Sequence, residues 1–204
     1  MRKRTFGYFV ATLVLFVSPA FAARNFYNVD QRSGWSACSQ CAGAGVAGVS
    51  VHPFNNSEAP VYSQNFEFQF PPERAVQLAG EFLHDDYAYE FETYWDLWVP
   101  VEEQDAWLLR PDIVRFIAHG TRFEDGLFQQ AGHIQVDFGL DLPFLYEEEV
   151  LDGETELRVR ANVHKLVNFT IAVEKNCGIT GRVLWSESEE NLAQKLIERL
   201  QKVH

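Results

Sequence analysis

The sequence predicts an α+β fold: a curved antiparallel β-sheet with an early helix and a C-terminal helix packed on it. Apolar and polar residues alternate with period two through residues 62–70 and 87–99, which is typical of strands with one buried face. Near the end of the chain the spacing becomes that of an amphipathic helix. The length suffices for one domain with a sizeable core, since single domains commonly have about 100–200 residues.

The segment 23–60 has no clear period and is rich in Gly, Ala, Ser and Asn, so we expect an irregular N-terminal segment. Within it, residues 43–48 match the G-x-G-x-x-G pattern of dinucleotide-binding folds. That pattern binds phosphate only between a strand and a helix, and the prolines and asparagines that follow do not suit a helix. We therefore expect a flexible glycine loop.

A single domain is predicted over residues 61–204. Its first strand, over residues 62–70, is followed by two prolines that end it and begin a helix over residues 72–83. A second strand over residues 87–99 is expected to end at Pro100. Residues 111–119 suit either a short helix or a strand, and we favour the strand because of their β-branched residues.

The last third of the chain is predicted to continue the antiparallel meander. Strands are expected over residues 132–140, 144–151, 154–163, 167–173 and 179–185. Asp152-Gly153 is a strong signal for a hairpin turn between the second and third of these. Ser186 and Glu189 match a capping box at the start of the final helix. The apolar face of that helix comprises Leu192, Ala193, Leu196, Ile197, Leu200 and Val203.

This order of strand, helix, antiparallel meander and terminal helix resembles the helix-grip arrangement of the START and Bet v 1-like proteins. The resemblance begins at residue 62 and rests on the order of elements, not on a motif. It implies a curved sheet that wraps a terminal helix and encloses an apolar cavity. An all-β barrel or a two-sheet sandwich with a terminal helix fits the same alternation.

Residues 1–22 have the pattern of a secretory signal peptide: Arg2, Lys3 and Arg4, an apolar stretch over residues 9–17, and a small-x-small ending. The stretch is short for a membrane span, so an uncleaved anchor is the less favoured alternative. We expect a soluble periplasmic protein without an integral membrane span in its mature chain. Removal of three positive charges takes the formal net charge from -12 to -15, which disfavours nucleic acid and anionic lipid surfaces as partners.

Three cysteines, Cys38, Cys41 and Cys177, allow one internal disulfide in an oxidising compartment and leave one thiol over. Cys38 and Cys41 form a C-x-x-C pair, but the glycines that follow make a poor helix for a thioredoxin-like redox site. Zinc would need a histidine as fourth ligand, and no spacing singles one out, so no metal is predicted. A bridge from Cys177 to Cys38 or Cys41 closes a far longer loop than the local pair, so we prefer it to the local pair.

No zincin, nucleophile-elbow or P-loop motif occurs, so no catalytic residue and no cofactor is predicted. His133 with Asp137, and His84 with Asp85, are the nearest approach to acid–base pairs. Such residues more often occupy surface or turn positions. We therefore expect a binding protein and not an enzyme.

The aromatic faces of the strands at 62–70 and 87–99 indicate what is bound. Aromatic side chains that line a cavity favour an apolar or amphipathic small molecule, such as a lipid. The residues expected to line the cavity are Phe66, Phe68, Tyr89, Phe91 and Trp95. One alternative is an envelope assembly or accessory protein whose aromatic face contacts an envelope protein partner. Another is an enzyme with unrecognised histidine or carboxylate chemistry.

Overall fold

The computed structural model describes residues 10–17, 45–55, 57–101, 106–127, 133–145, 152–176, 179–186 and 192–201. The elements in chain order are strands β1 (Val10–Val17), β2 (Val46–Pro53) and β3 (Tyr62–Phe70), helix α1 (Pro72–Gly80), strands β4 (Tyr87–Val101), β5 (Ala106–His119) and β6 (Ile134–Leu140), helices α2 (Leu142–Leu145) and α3 (Gly153–Asn176), strand β7 (Ile179–Ser186) and helix α4 (Leu192–Gln201). Within these described ranges, no helix is long and apolar enough to cross a membrane.

The described strands form one antiparallel sheet in the order β3-β2-β4-β5-β6-β1-β7. Strands β3, β2, β4, β5 and β6 are consecutive neighbours from one edge of the sheet, and β1 and β7 extend the sheet beyond β6. The predicted α+β class, an antiparallel sheet with helices packed on it, is confirmed. The strand order differs from the predicted meander at two places. Strand β2, from the segment predicted to be irregular, lies between β3 and β4, and β1, from the segment predicted as a signal peptide, lies between β6 and β7.

The helices pack on one face of the sheet, where the alternate residues of β4 are buried and, apart from Thr93, apolar. In β4 the buried series is Tyr89, Phe91, Thr93, Trp95, Leu97 and Val99. Helices α2, α3 and α4 cover the second half of this strand and β6 to form the first core, which includes Trp95, Phe138 and Val163. Helix α1 covers β2 and the first half of β4 to form the second core. The opposite face, which the described helices leave uncovered, is called the open face below.

Strands β4 and β5 form a long hairpin that extends beyond their outer neighbours. Pairing of β4 with β2 reaches only to Thr93, so the outer edge of β4 beyond this point needs other hydrogen-bond partners. Helix α3 supplies them: Asn162 bonds both backbone groups of Trp98, and Lys165 Nζ donates to the Asp96 carbonyl at 2.9 Å. On the other side, Pro111 of β5 lies beyond the last pair with β6 at Arg115, where its missing N–H costs no ladder bond.

Residues 154–173 form one helix, so the two strands predicted there are wrong. The buried side chains Val159, Val163 and Leu166 recur at helical spacing and pack into the first core. Asp152 is the helix cap and not a hairpin residue: its Oδ1 accepts from the backbone N–H of Thr155 at 2.7 Å. The alternating pattern misled because apolar residues that do not belong to the buried stripe, such as Leu157 and Ile171, which are 68% and 53% exposed, complete a period of two by chance.

Three further predictions need correction. The strand over 144–151 is wrong for its first residues, which belong to the short helix α2, while residues 146–151 lie outside the described part. Ser186 ends β7 and donates to Asp141 Oδ2 at 2.7 Å in a buried position, so it does not cap α4, which begins at Leu192; Glu189 lies outside the described residues. Strand β4 also continues through Pro100 to Val101.

Strand β2 was missed, because residues 23–60 were interpreted as irregular. Val46 to Pro53 is a largely buried strand between β3 and β4. A Cβ at Gly48 would lie 3.1 Å from Asn65 Oδ1 and 3.3 Å from Glu92 Oε2, so this glycine lets neighbouring side chains lie over the strand. The predictions of β3, α1, β4, β6 and β7 are confirmed to within three residues at their ends, β5 begins five residues before its predicted start, and the predicted C-terminal helix is present as α4.

Candidate functional site

The aromatic residues expected to line a ligand cavity are divided between the two cores. Tyr89, Phe91 and Trp95 are at most 5% exposed, and Trp95 is edge-on to Phe138 and Phe169 at 5.5 and 5.1 Å between ring centroids. Phe91 and Tyr89 belong to the second core and Trp95 to the first. These three rings therefore contact neighbouring core side chains and hold the helices on the sheet.

Phe66 is the predicted ligand residue with an accessible surface. It is half-buried against the second core, and its ring stacks on that of Phe70 at 3.8 Å between centroids. Phe68 belongs to the same strand, β3, but its side chain is outside the described part of the structure. The structure thus packs Phe66 against the second core, which contains Tyr89 and Phe91, and places Trp95 in the first core.

The cysteine predictions fall on Cys38, Cys41 and Cys177, which lie outside the described residues. Among the residues that the structure does describe, no group of three or more His, Cys, Asp or Glu side chains is arranged to hold a metal ion.

The histidine pairs are arranged differently from the prediction. The exposed His84 lies 3.5 Å from Asp86 through Nδ1 and Oδ2, so its carboxylate neighbour is Asp86 and not Asp85. His133 is buried beside His119, whose backbone N–H donates to the His133 carbonyl at 3.0 Å. Burial, with a smaller effect from the nearby His119, lowers the pKa of His133. Asp137 lies four residues further along, about 13 Å away in extended chain.

A charged cluster occupies the centre of the open face. Glu92, Arg115 and Asp137 are direct cross-strand neighbours on β4, β5 and β6, which aligns their side chains in one row. Arg115 Nε lies 3.1 Å from Glu92 Oε1 and 3.4 Å from Glu90 Oε1, and Nη1 lies 3.7 Å from Asp137 Oδ2. One guanidinium therefore faces three carboxylates, and the cluster carries net negative charge.

Glu90 is the perturbed member of this cluster. Burial raises the pKa of its carboxyl, while the charge of Arg115 opposes that shift and the charge of Glu92 adds to it. A carboxyl with a raised pKa is a functional-site candidate, although ion-pair networks without any function also perturb pKa values. His52 of β2 is a further titratable group near Glu90, and its charge also lowers the pKa of that carboxyl. We interpret this set of charged groups as a surface for the recognition of charge.

An apolar patch lies at the edge of the same face. Val183 and Trp185 of β7 are 50% and 48% exposed, and they are two residues apart, so they share one side of the strand. The register extends the central row from Asp137 through Thr12 of β1 to Trp185. A charged centre and an apolar edge thus lie on one continuous surface of the sheet.

Sequence reasoning missed both parts of this site. The alternation in residues 87–99 did place Glu90 and Glu92 on the polar side of their strand. The partners Arg115 and Asp137, however, are set by the register between strands, which no local pattern contains.

Comparison with protein-family models, curated proteins and solved structures finds no significant match. The class of the protein therefore follows from its fold and surface. It is an α+β protein with helices on one face of an antiparallel sheet and a mixed charged and apolar surface on the other.

Proposed function

We propose that the chain is an exported, non-enzymatic accessory protein that acts through contact between the open face of its sheet and another protein. The observation that carries this proposal is the exposure of Val183 and Trp185 at the sheet edge, in register with the charged cluster of Arg115. Trp and Arg are the residues most enriched at the energetic centres of protein interfaces.

The charge of the protein adds to the argument. The chain has a formal net charge of -12, and the cluster on the open face is itself acidic. An acidic face attracts a basic one and repels another acidic one, so a basic protein surface is the complementary partner. Export remains a proposal that rests on the signal-peptide pattern of residues 1–22, and it places the partner in the periplasm or envelope.

Site-specific photo-crosslinking in living cells tests the proposal. A photoreactive amino acid is placed at Trp185, and in a matched control at Leu157, which is 68% exposed on helix α3. We expect a discrete crosslinked species from position 185 and none from position 157. Equal crosslinking at both positions, or none at either in a folded protein, would contradict the proposal.

A small apolar or amphipathic ligand is a second candidate, favoured by the half-buried Phe66 beside the second core. The cavity of a helix-grip arrangement would be the binding site in this second candidate function. Native mass spectrometry of the purified protein tests it: a lipid-sized adduct that is lost in the F66A variant would support ligand binding. A clean monomer mass would argue against it.

A further inference from the structure

Strand β1 belongs to the N-terminal segment that we propose is cleaved from the exported chain, which would leave its position in the sheet empty. Val10–Val17 pairs antiparallel with β6 on one side and with β7 on the other. Leu13 is at the centre, opposite Val136 of β6 and Leu184 of β7. These residues form the apolar stretch of the predicted signal peptide, and signal peptidase would remove them from an exported chain.

Removal of β1 leaves a gap one strand wide. Neighbouring strands lie about 4.8 Å apart, so β6 and β7 would face each other across about 9.6 Å with both of their inner rows of backbone N–H and C=O groups unpaired. Strand β7 is at one edge of the described sheet, and β1 is its neighbouring strand.

Contacts outside the ladder fix the width of this gap. The Ser186 hydroxyl at the end of β7 donates to Asp141, which follows β6, at 2.7 Å in a buried position. Leu184 packs against the first core, next to helices α3 and α4. Because these contacts tie β7 to the domain independently of β1, the two flanking strands keep their separation when β1 leaves.

We infer that the gap between β6 and β7, called the strand slot below, receives an extended apolar segment of the partner protein by strand addition. This inference rests on the proposed function and names the form of the partner. The resident strand shows what fits: eight residues, VATLVLFV, extended, uncharged and antiparallel to both neighbours. Strand addition obtains affinity from main-chain hydrogen bonds and specificity from alternate side chains.

The partner segment also extends the surface of the proposed contact. In the slot, the positions of Thr12 and Val14 are in register with Trp185 and Val183. A partner strand at these positions places its own side chains between the charged cluster and the apolar edge of the open face. The slot and the open face are therefore one binding surface.

The test uses the chain exported to the periplasm and purified, with its N-terminus read from the intact mass. The probe is a fluorescent peptide with the sequence of residues 8–19 and lysines added at its ends, and the matched control is the same peptide with Leu13→Pro. Proline removes one N–H and disrupts strand pairing, so we expect at least tenfold weaker binding of the control. The full-length chain made in the cytosol, whose slot is filled, is expected not to bind either peptide.

Hydrogen exchange locates the binding. The amides that face the slot, about every second residue of 134–140 and 179–186, are expected to exchange rapidly in the processed chain and to become protected with the peptide, while the amides of β6 that face β5 stay protected throughout. Three results would overturn the inference: protection of the slot-facing amides before peptide is added, equal binding of the two peptides, or a purified exported chain that retains residues 10–17. A processed chain that is a dimer with the slot filled would replace the partner by a second copy. Crosslinking at Trp185 is read separately, so a contact on the open face without strand addition remains distinguishable.

Discussion

Asn162 of helix α3 joins three parts of the fold, and its replacement by alanine is the most informative perturbation of stability. The side chain is 2% exposed. Its Oδ1 accepts from the Trp98 N–H at 3.0 Å, and its Nδ2 donates to the carbonyls of Trp98 and Pro143, each at 2.8 Å. The variant N162A removes all three hydrogen bonds and leaves the backbone of β4 and α2 without these partners.

The expected loss follows from the burial of each group. The Pro143 carbonyl is bonded in a buried position, and an unsatisfied buried acceptor costs about 1–3 kcal/mol. The two groups of Trp98 are partly buried, and each loses a hydrogen bond with a net value of about 0.5–1.5 kcal/mol. Alanine regains up to about 0.7 kcal/mol as the better helix former. We expect the free energy of unfolding to fall by about 2–5 kcal/mol.

Urea denaturation followed by circular dichroism measures this change. The matched control is N168A, the same substitution at an exposed position of the same helix, for which we expect a change within about 0.5 kcal/mol. If N162A destabilises the protein no more than N168A does, the interpretation of α3 as the hydrogen-bonding partner of the β4 edge is refuted.

Three other predictions concern titrating groups and can be checked by urea denaturation across pH. The raised pKa of Glu90 means that the folded state favours the protonated carboxyl. The stability that this gives is present below about pH 4.5 and is lost as pH rises through the folded pKa. E90Q is therefore expected to be more stable than the parent at pH 7 and similar to it at pH 4. E92Q, in which the charge-assisted 3.1 Å hydrogen bond from Arg115 becomes a weaker neutral one, is the control and should not gain stability. The lowered pKa of His133 predicts that its contribution to the free energy of unfolding is complete above about pH 6.5 and decreases as pH falls toward the folded pKa. H133Q should reduce this decrease, and the same dependence of stability on pH in H133Q and the parent would contradict the prediction. The backbone N–H of Thr155 lowers the pKa of the Asp152 cap, so D152A is expected to destabilise α3 above about pH 4 and to lose that effect at lower pH, which a pH-independent difference would exclude.

Local patterns predicted most strands because one face of each is buried against helices. In β4 the alternation from Tyr89 to Val99 reports that burial directly. The same reasoning failed at α3, where exposed apolar residues such as Leu157 and Ile171 gave the buried helical stripe a false period of two, and where Asp152 acts as a cap and not as a hairpin residue. Asp is common in both roles, so the dipeptide alone does not separate them.

The candidate site was less predictable than the fold, because it depends on which strands are neighbours. Arg115 is more than twenty residues from both Glu92 and Asp137 in the chain, and the pairing of three strands brings them together. Trp95, predicted at a ligand site, is buried in the first core, and aromatic side chains on a strand have the same sequence pattern whether they line a cavity or fill a core. Sequence alone gives the face on which a side chain lies, not what packs against it.

The position of β1 has a consequence for the order of folding. The β4–β5 hairpin closes at Val101 and Ala106, whereas β1 pairs with β7 at Ala11 and Ser186, 175 residues apart. Loop closure over that separation costs about 3 kcal/mol more in chain entropy than closure of the hairpin. The hairpin is thus expected to nucleate early and β1 to enter the sheet last. While the rest of the domain assembles, the backbone groups of β6 and β7 that face β1 are expected to be the last in the sheet to gain their hydrogen-bond partners.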